Sequence, residues 1–318
     1  MNYSPPFFLF NAHLETIYPS LLRKVTLQPF QRERISTPDN DFLDLDWLKQ
    51  GSSKLIIISH GLEGNTQRTY VKGMARAGYQ HGHDILAWNY RGCSEEMNKT
   101  LRFYHSGATD DLATVIEHAQ SLCQYKEIYL VGFSLGGNLT LKYLGEKRLR
   151  PGLLKKVVTF SVPLDLHTSS VKISQPSNWI YSQRFLKSLR KKVQDKSRII
   201  SGLDIRGLEK IKTLHEFDDH FTGPIHGFKD ALDYYHQCSA VRFIKDITIP
   251  TLVISAANDP FLSPECYPYE LVRDHSYVLF ESPAYGGHVG FTQFNTTGLY
   301  WSEQQAINFF NQIDHGNS

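Results

Sequence analysis

A chain of 318 residues, 41% apolar and 21% charged, with a formal net charge of +2, has the make-up of an ordinary globular protein. Its length accommodates one large α/β domain carrying an insertion, or two modest domains. The near-neutral balance excludes a global pull toward nucleic acid or anionic membranes, and no apolar run reaches the roughly 20 residues of a bilayer-spanning helix.

The N-terminal MNYSPPFFLFNAHLETIYPSLLRK lacks the basic head of a secretory signal. Its aromatics, in FNAHLETIY, are expected to pack rather than to bind a ligand, with the lining of an acyl tunnel as the lesser reading. Residues 32–36 and 42–48 flank TPDND and read as a hairpin. Leu55 to Ser59, LIIIS, is apolar throughout, as a parallel strand covered on both faces would be. A helical pattern runs from Thr69 to Ala77 and is expected to stop at Gly78. HGHD, His81 to Asp84, resembles a metal-binding fragment, but no second ligand cluster accompanies it, so it reads as a turn and no metal is expected. DILAWN, Asp84 to Asn89, is the next buried strand. It ends in YRGCS, where Arg91 and Gly92 are expected to brace a loop.

Residues 107–122 read as a helix with Asp110 or Asp111 as N-cap. EIYLVGF (127–133) is a strand and LTLKYLGEK (139–147) a helix. KVVTFS (156–161), PTLVIS (250–255) and SYVLF (276–280) are further strands, and SEQQAINFFNQI (302–313) closes the chain as a helix. Strands alternating with helices imply parallel βαβ units and a sheet covered on both faces. The rhythm breaks between Leu164 and Val241, which reads as a helical cap insertion (164–241) within one domain spanning 1–318. There Tyr181, Phe185, Leu189 and Val193 recur every four residues. Arg184, Lys187, Arg190, Lys191 and Lys192 lie between them. This is an amphipathic helix whose basic face is expected to be solvated, with contact to an anionic membrane surface as the lesser reading. The four cysteines, Cys93, Cys123, Cys238 and Cys266, are far apart. They fit reduced cytoplasmic thiols better than a disulfide framework.

The chemistry points to VGFSLGGN, Val131 to Asn138. Gly132, Ser134 and Gly136 form G-x-S-x-G with a strand before and a helix after, the setting of a nucleophile elbow. A serine hydroxyl needs a base, and the base needs a carboxylate to orient it. In elbows of this kind the acid and then the histidine follow the serine. Asp259 in AANDPF and His288 in GGHVGF each follow a strand and supply them, with Glu265 as a weaker substitute acid. The backbone N–H of Leu135, after the serine, and of Leu62, in the loop HGLEG after LIIIS, are the expected oxyanion donors. His60 is expected to shape that loop. With no Gly-rich phosphate loop or dinucleotide fingerprint, no cofactor is expected.

In order along the chain, FNAHLETIYPSLLRK, ISTPDNDFLDLDW, HGLEGN, NYRGCS, GATDDL, VGFSLGGN, AANDPF and GGHVGF together resemble the α/β-hydrolase superfamily, and more narrowly its YheT-like branch. The resemblance implies an α/β-hydrolase fold: a mostly parallel central sheet flanked by helices. It carries Ser134, Asp259 and His288 over as nucleophile, acid and base. This branch is similar to eukaryotic membrane-associated lipid hydrolases, whose N-terminal anchor is not expected here. The expected activity is a serine hydrolase that cleaves a carboxylic ester, of short or medium acyl chain, an acylglycerol or another lipid, through an acyl-enzyme. The alternatives are an acyltransferase using the same intermediate and a non-catalytic binding protein on the same fold.

Overall fold

The computed structural model describes residues 3–312; Ile313, the last residue of the expected closing helix, lies outside them. The chain opens with α1 (Ala12–Leu22), capped by the Asn11 side chain, which accepts the Leu14 N–H at 2.9 Å. Sequence reasoning assigned no helix here. The hairpin follows as β1 (Gln31–Ser36) and β2 (Phe42–Leu48), closed by Asn40 at φ +61° and by the Thr37 N–H donating to the Asp41 carbonyl at 3.0 Å. Next come β3 (Lys54–Ser59), α2 (Thr69–Gln80), β4 (Asp84–Asn89), α3 (Thr109–Ser121), β5 (Glu127–Phe133), α4 (Leu135–Gly145) and β6 (Leu154–Phe160). After α5 (Leu166–Ile173) and α6 (Trp179–Ser197) come short helical turns and the helix Ala231–Cys238. The chain then returns to the sheet as β7 (Thr251–Ile254) and β8 (Val278–Glu281), before the closing helix Trp301–Asn311.

The eight strands form one sheet in the order β1, β2, β4, β3, β5, β6, β7, β8. β2 runs antiparallel to both its neighbours, β1 at the edge and β4 on the inner side, and the remaining pairs, from β4 to β8, are parallel. This is the doubly covered α/β sheet that the alternation implied. The two-residue period of β3 sends Leu55 and Ile57 to one face, where they pack with Leu112 and Leu139. Ile56 and Ile58 go to the other, with Met74 and Ile307. All four side chains are buried, each worth about 1.5–3 kcal/mol.

Two local expectations about helix ends need correction. Gly78 does not stop α2, which runs on to Gln80. A Cβ at Gly78 would lie 2.7 Å from the δ-methyls of Ile56 and Ile85, so its role is to let the helix lie close on the sheet. Neither Asp110 nor Asp111 is the N-cap of α3. The helix starts at Thr109, and both acids sit in its first turn, where the helix dipole favours them. Asp110 pairs with Arg102, and Asp111 with Arg91 at 2.7 Å. Arg91 also reaches Asp39 in the hairpin turn, so it ties that turn to α3.

Between Phe160 and Thr251 the described residues are helical or irregular, without a strand. The amphipathic segment is longer than its periodicity suggested, spanning all of α6. Its basic face is not uniformly solvated. Arg184, Lys187 and Lys191 are exposed, but Lys192 is buried, with Nζ 2.6 Å from Glu63 Oε1. One turn on, Lys196 is buried as well and donates to Asn98 Oδ1 at 2.6 Å and to the Thr100 carbonyl at 2.7 Å. Burial pushes its ammonium down to about 8. α6 is thus pinned to the loops that follow β3 and β4 by buried lysines.

Candidate active site

The corner between β5 and α4 forces Ser134 to φ +53° and ψ −119°, a conformation that L-residues rarely adopt. The neighbouring glycines make the corner sterically feasible. A Cβ on Gly136 would lie 2.5 Å from the carbonyl oxygens of Ser59 and His60, and one on Gly132 would lie 2.6 Å from the Gly136 carbonyl. The serine therefore projects from the carboxyl end of the central strands, at the N-terminus of an 11-residue helix.

His288, from the loop after β8, places Nε2 2.9 Å from Ser134 Oγ. Its Nδ1 lies 2.9 Å from Asp259 Oδ2 and 3.1 Å from Oδ1. With the Nδ1 proton donated to this buried carboxylate, Nε2 is left as acceptor for the serine hydroxyl. Asp259 Oδ1 also accepts the Phe261 N–H at 2.9 Å, and the Phe261 ring lies 4.2 Å from the imidazole, centroid to centroid. Glu265, the substitute acid, is exposed on the turn Pro264–Cys266 and makes no hydrogen bond to His288.

The histidine loop is held by four consecutive backbone N–H groups, each donating to a different side chain. Gly286 donates to Glu15, Gly287 to Asn258 Oδ1 at 3.0 Å, His288 to Thr16 Oγ1 at 2.9 Å and Val289 to Ser161 Oγ at 2.9 Å. Glu15 is buried, and burial raises its carboxyl despite the donors from Gly286 and Asn258. Sequence reasoning missed Glu15, Thr16, Asn258 and Ser161. The one local signal was Asn11 as an N-cap ahead of HLE, masked by Pro19 inside the helix.

The loop after β3 comes against the serine: a Cβ on Gly61 would lie 3.2 Å from Ser134 Cβ. The Gly61 and Glu63 N–H groups donate to the Tyr70 hydroxyl at 3.0 Å and the Tyr104 hydroxyl at 2.8 Å. Among the described residues the Leu62 and Leu135 N–H groups have no such partner, and both residues line the same cavity as Ser134. His60 is buried. Its Nδ1 meets the Gly61 carbonyl at 2.8 Å, and its Nε2 accepts the Tyr90 N–H at 3.3 Å. Burial lowers it to about 3, so it stays neutral and braces the loop. The Glu63 carboxylate accepts from Lys192 at 2.6 Å, Tyr104 at 2.7 Å and Ser188 at 2.5 Å. Burial pushes this carboxyl up, but Lys192 and the hydroxyl donors outweigh it and hold it below its usual range. In HGHD, His81 Nδ1 bonds to the Ala77 carbonyl at 2.7 Å, and Asp84 accepts the Gln50 N–H at 2.8 Å. Both are structural contacts at the end of α2.

Two cavities meet at Ser134 and His288. One lies beneath α6 and the helical turns that follow it and is mostly apolar, with Phe185, Leu189, Val193, Phe217, Phe221 and Phe261 in its wall. The other runs between α1 and the start of α6, past Leu21, Ile180, Arg68 and Arg184.

A family model described as the alpha/beta hydrolase fold matches residues 54–293. YheT of Escherichia coli (strain K12), named as a candidate esterase, is 34% identical over 291 residues, covering 88% of this chain and 84% of that protein. Phospholipase ABHD3 of Bos taurus is 29% identical over 303 residues, covering 92% and 73%. Among solved structures, the Pyrococcus furiosus esterase Pf2001 superposes with a TM-score of 0.60 at 17% identity, covering 88% of this chain and 90% of that one. By its sequence match and its sheet, the chain belongs to the α/β-hydrolase family, in the esterase- and lipase-type branch that includes YheT.

Proposed function

We propose that this α/β-hydrolase cleaves a carboxylic ester through an acyl-enzyme formed on Ser134. The observation that carries the reading is the continuous relay Asp259–His288–Ser134, at 2.9 Å for each link, set at a strained strand-to-helix corner. His288 Nε2 takes the hydroxyl proton as Ser134 attacks the carbonyl, and Asp259 stabilises the imidazolium. The Leu62 and Leu135 N–H groups receive the oxyanion, an interaction worth about 2.7–4 kcal/mol per donor. His288 then protonates the leaving alkoxide. Water, deprotonated by the same nitrogen, releases the acid.

The apolar cavity suits the acyl chain, and the second cavity, with its arginines, suits the alcohol part. Residues 164–241 are read as a cap that roofs the acyl cavity within a single domain. The free thiols fit a reducing cytoplasm. Among the described residues, no helix is long and apolar enough to cross a membrane. Leu21 and Ile180, 67% and 68% exposed, line the second cavity beside Arg184, and this supports contact with an anionic lipid surface. The test is labelling with a fluorophosphonate probe, wild type beside Ser134→Ala, followed by p-nitrophenyl esters of increasing acyl length with product analysis. Labelling and turnover confined to wild type are expected; substantial turnover by a clean Ser134→Ala protein would overturn the assignment. Ester exchange onto an added alcohol, in place of free acid, would identify a transferase.

A further inference from the structure

The acyl cavity contains a carboxylate that the proposed chemistry does not use. Asp218 opens a single π-helical turn, Asp218–Thr222, and lines the same chamber as Ser134 and His288. π-Turns of this kind recur at functional sites. Its Oδ1 accepts from Thr222 Oγ1 at 2.6 Å and its Oδ2 from the Tyr235 hydroxyl at 2.7 Å. A carboxylate offers about four acceptor positions, so about half are unused. Among the described residues no lysine, arginine or histidine forms an ion pair with it. The surroundings are aromatic: Phe217, Phe221, Tyr234 and Tyr235 all line the chamber with it. Burial raises the Asp218 carboxyl to about 6, as expected of an acid with too few partners.

The same chamber also holds a donor. His105 Nδ1 accepts the Gly107 N–H at 3.2 Å, so the neutral ring keeps its proton on Nε2. Burial holds this histidine well below its ordinary range, and it is neutral at physiological pH. Its Nε2 has no hydrogen-bond partner among the described residues, and the residue lines the chamber. His105 is linked to Asp218 through packed rings: 5.8 Å to Tyr234, then 5.2 Å to Tyr235, whose hydroxyl binds Asp218. A straight alkyl chain would satisfy neither the acceptor nor the donor. An ammonium would suit Asp218 but meet the N–H of His105. A hydroxyl both donates and accepts.

Resting on the reading of Ser134 as the acylated residue, we propose that Asp218 and His105 form a subsite for an acyl group that carries a hydroxyl on its chain, so that the enzyme selects hydroxyacyl esters over plain alkanoyl esters. Asp218 accepts a hydrogen bond from the hydroxyl, and His105 Nε2–H is the donor available to the hydroxyl oxygen. Thr222 and Tyr235 position the carboxylate.

The experiment compares p-nitrophenyl esters of straight-chain acids with those of the matching terminal hydroxy and amino acids, in wild type, Asp218→Asn and Tyr235→Phe. Each result is read as the kcat/KM ratio within one variant. At the chain length that reaches the wall, wild type is expected to favour the hydroxy ester by about tenfold or more, the factor a hydrogen bond to a charged group supplies. The ratio should collapse toward one in Asp218→Asn. A wild-type ratio at or below one at every length, or a ratio unchanged in Asp218→Asn, overturns the proposal. Preference for the amino ester replaces the hydroxyl with a cation and overturns it too. The free acids supply a readout without catalysis: the hydroxy acid should raise Tm more than the plain acid in wild type, and equally in Asp218→Asn. Fluorophosphonate labelling of Ser134 in each protein separates loss of this subsite from failure of the serine-hydrolase reading.

Discussion

Lys192→Met tests whether α6 holds in place the loop after β3 that is proposed to bind the oxyanion. In the wild-type protein the Lys192 ammonium sits 2.6 Å from Glu63 Oε1, with the two side chains only 9% and 6% exposed. It also lies 4.6 Å over the Tyr104 ring. Methionine fills a similar volume without charge and leaves the Glu63 carboxylate buried with only the Ser188 and Tyr104 hydroxyls. Breaking one half of a buried pair costs about 3–5 kcal/mol. At about 2–4 °C per kcal/mol for a large domain, Tm should fall by roughly 6–20 °C. A second effect is local. Glu63 follows Leu62 directly and has φ +50°, so releasing its side chain frees the peptide expected to bind the oxyanion. Complete loss of one such donor costs about 10²–10³ in kcat, so a drop of about tenfold or more with little change in KM is expected. Adding Glu63→Gln to Lys192→Met removes the stranded charge and should recover most of the lost stability. Urea unfolding and p-nitrophenyl ester kinetics measure both quantities. If Lys192→Met loses under about 1 kcal/mol and keeps wild-type kcat, the tether between α6 and this loop has no energetic content.

Glu15→Ala removes the acceptor of the Gly286 N–H and the Asn258 amide. It should cost about 1–3 kcal/mol per stranded group and lower kcat more than it raises KM, with partial rescue by Glu15→Gln. Acid should destabilise the fold well before the carboxylates titrate. Burial lowers His60, His83, His105 and His226 below the ordinary histidine range, so the unfolded chain takes up protons that the folded chain refuses. Their contribution is complete above about pH 6.5 and declines as pH falls toward their folded values. Asp218, raised to about 6, binds its proton earlier when folded and offsets part of this slope. Urea midpoints that stay flat from pH 7 to 5 would contradict the neutral buried histidines. Leu21→Asp and Ile180→Asp should each weaken sedimentation with phosphatidylglycerol vesicles while sparing hydrolysis of a soluble short-chain ester. Equal vesicle binding by both variants and wild type would remove the proposed lipid contact.

What the sequence made legible was what local sterics and short periodicities encode. Gly132 and Gly136 had to be glycines because backbone oxygens lie within 2.6 Å of where their Cβ atoms would stand, and that requirement marks Ser134 without any tertiary knowledge. The unbroken apolar run of LIIIS placed a doubly covered strand. Asp259 and His288 stood out because each follows a strand, and the structure brings both to Ser134. The residues that escaped act across long separations. Glu15 meets Gly286 across 271 positions, and Lys192 meets Glu63 across 129. Periodicity told which residues of α6 share a face but not what covers that face, so a buried lysine read as a solvated one. The same blindness hid Asp218: in HEFDDHF it is one acid beside another, and only packing distinguishes it. Asp219 is exposed, whereas Asp218 is turned into a largely aromatic chamber with two hydroxyl donors and, among the described residues, no cation paired to it. The proposed catalytic serine is thus marked by a tight local turn, whereas the proposed acyl subsite rests on distant polar groups that a sheltered cavity leaves partly unsatisfied. Altering specificity without losing turnover should therefore begin at Asp218 and its partners, well removed from the Ser134 corner.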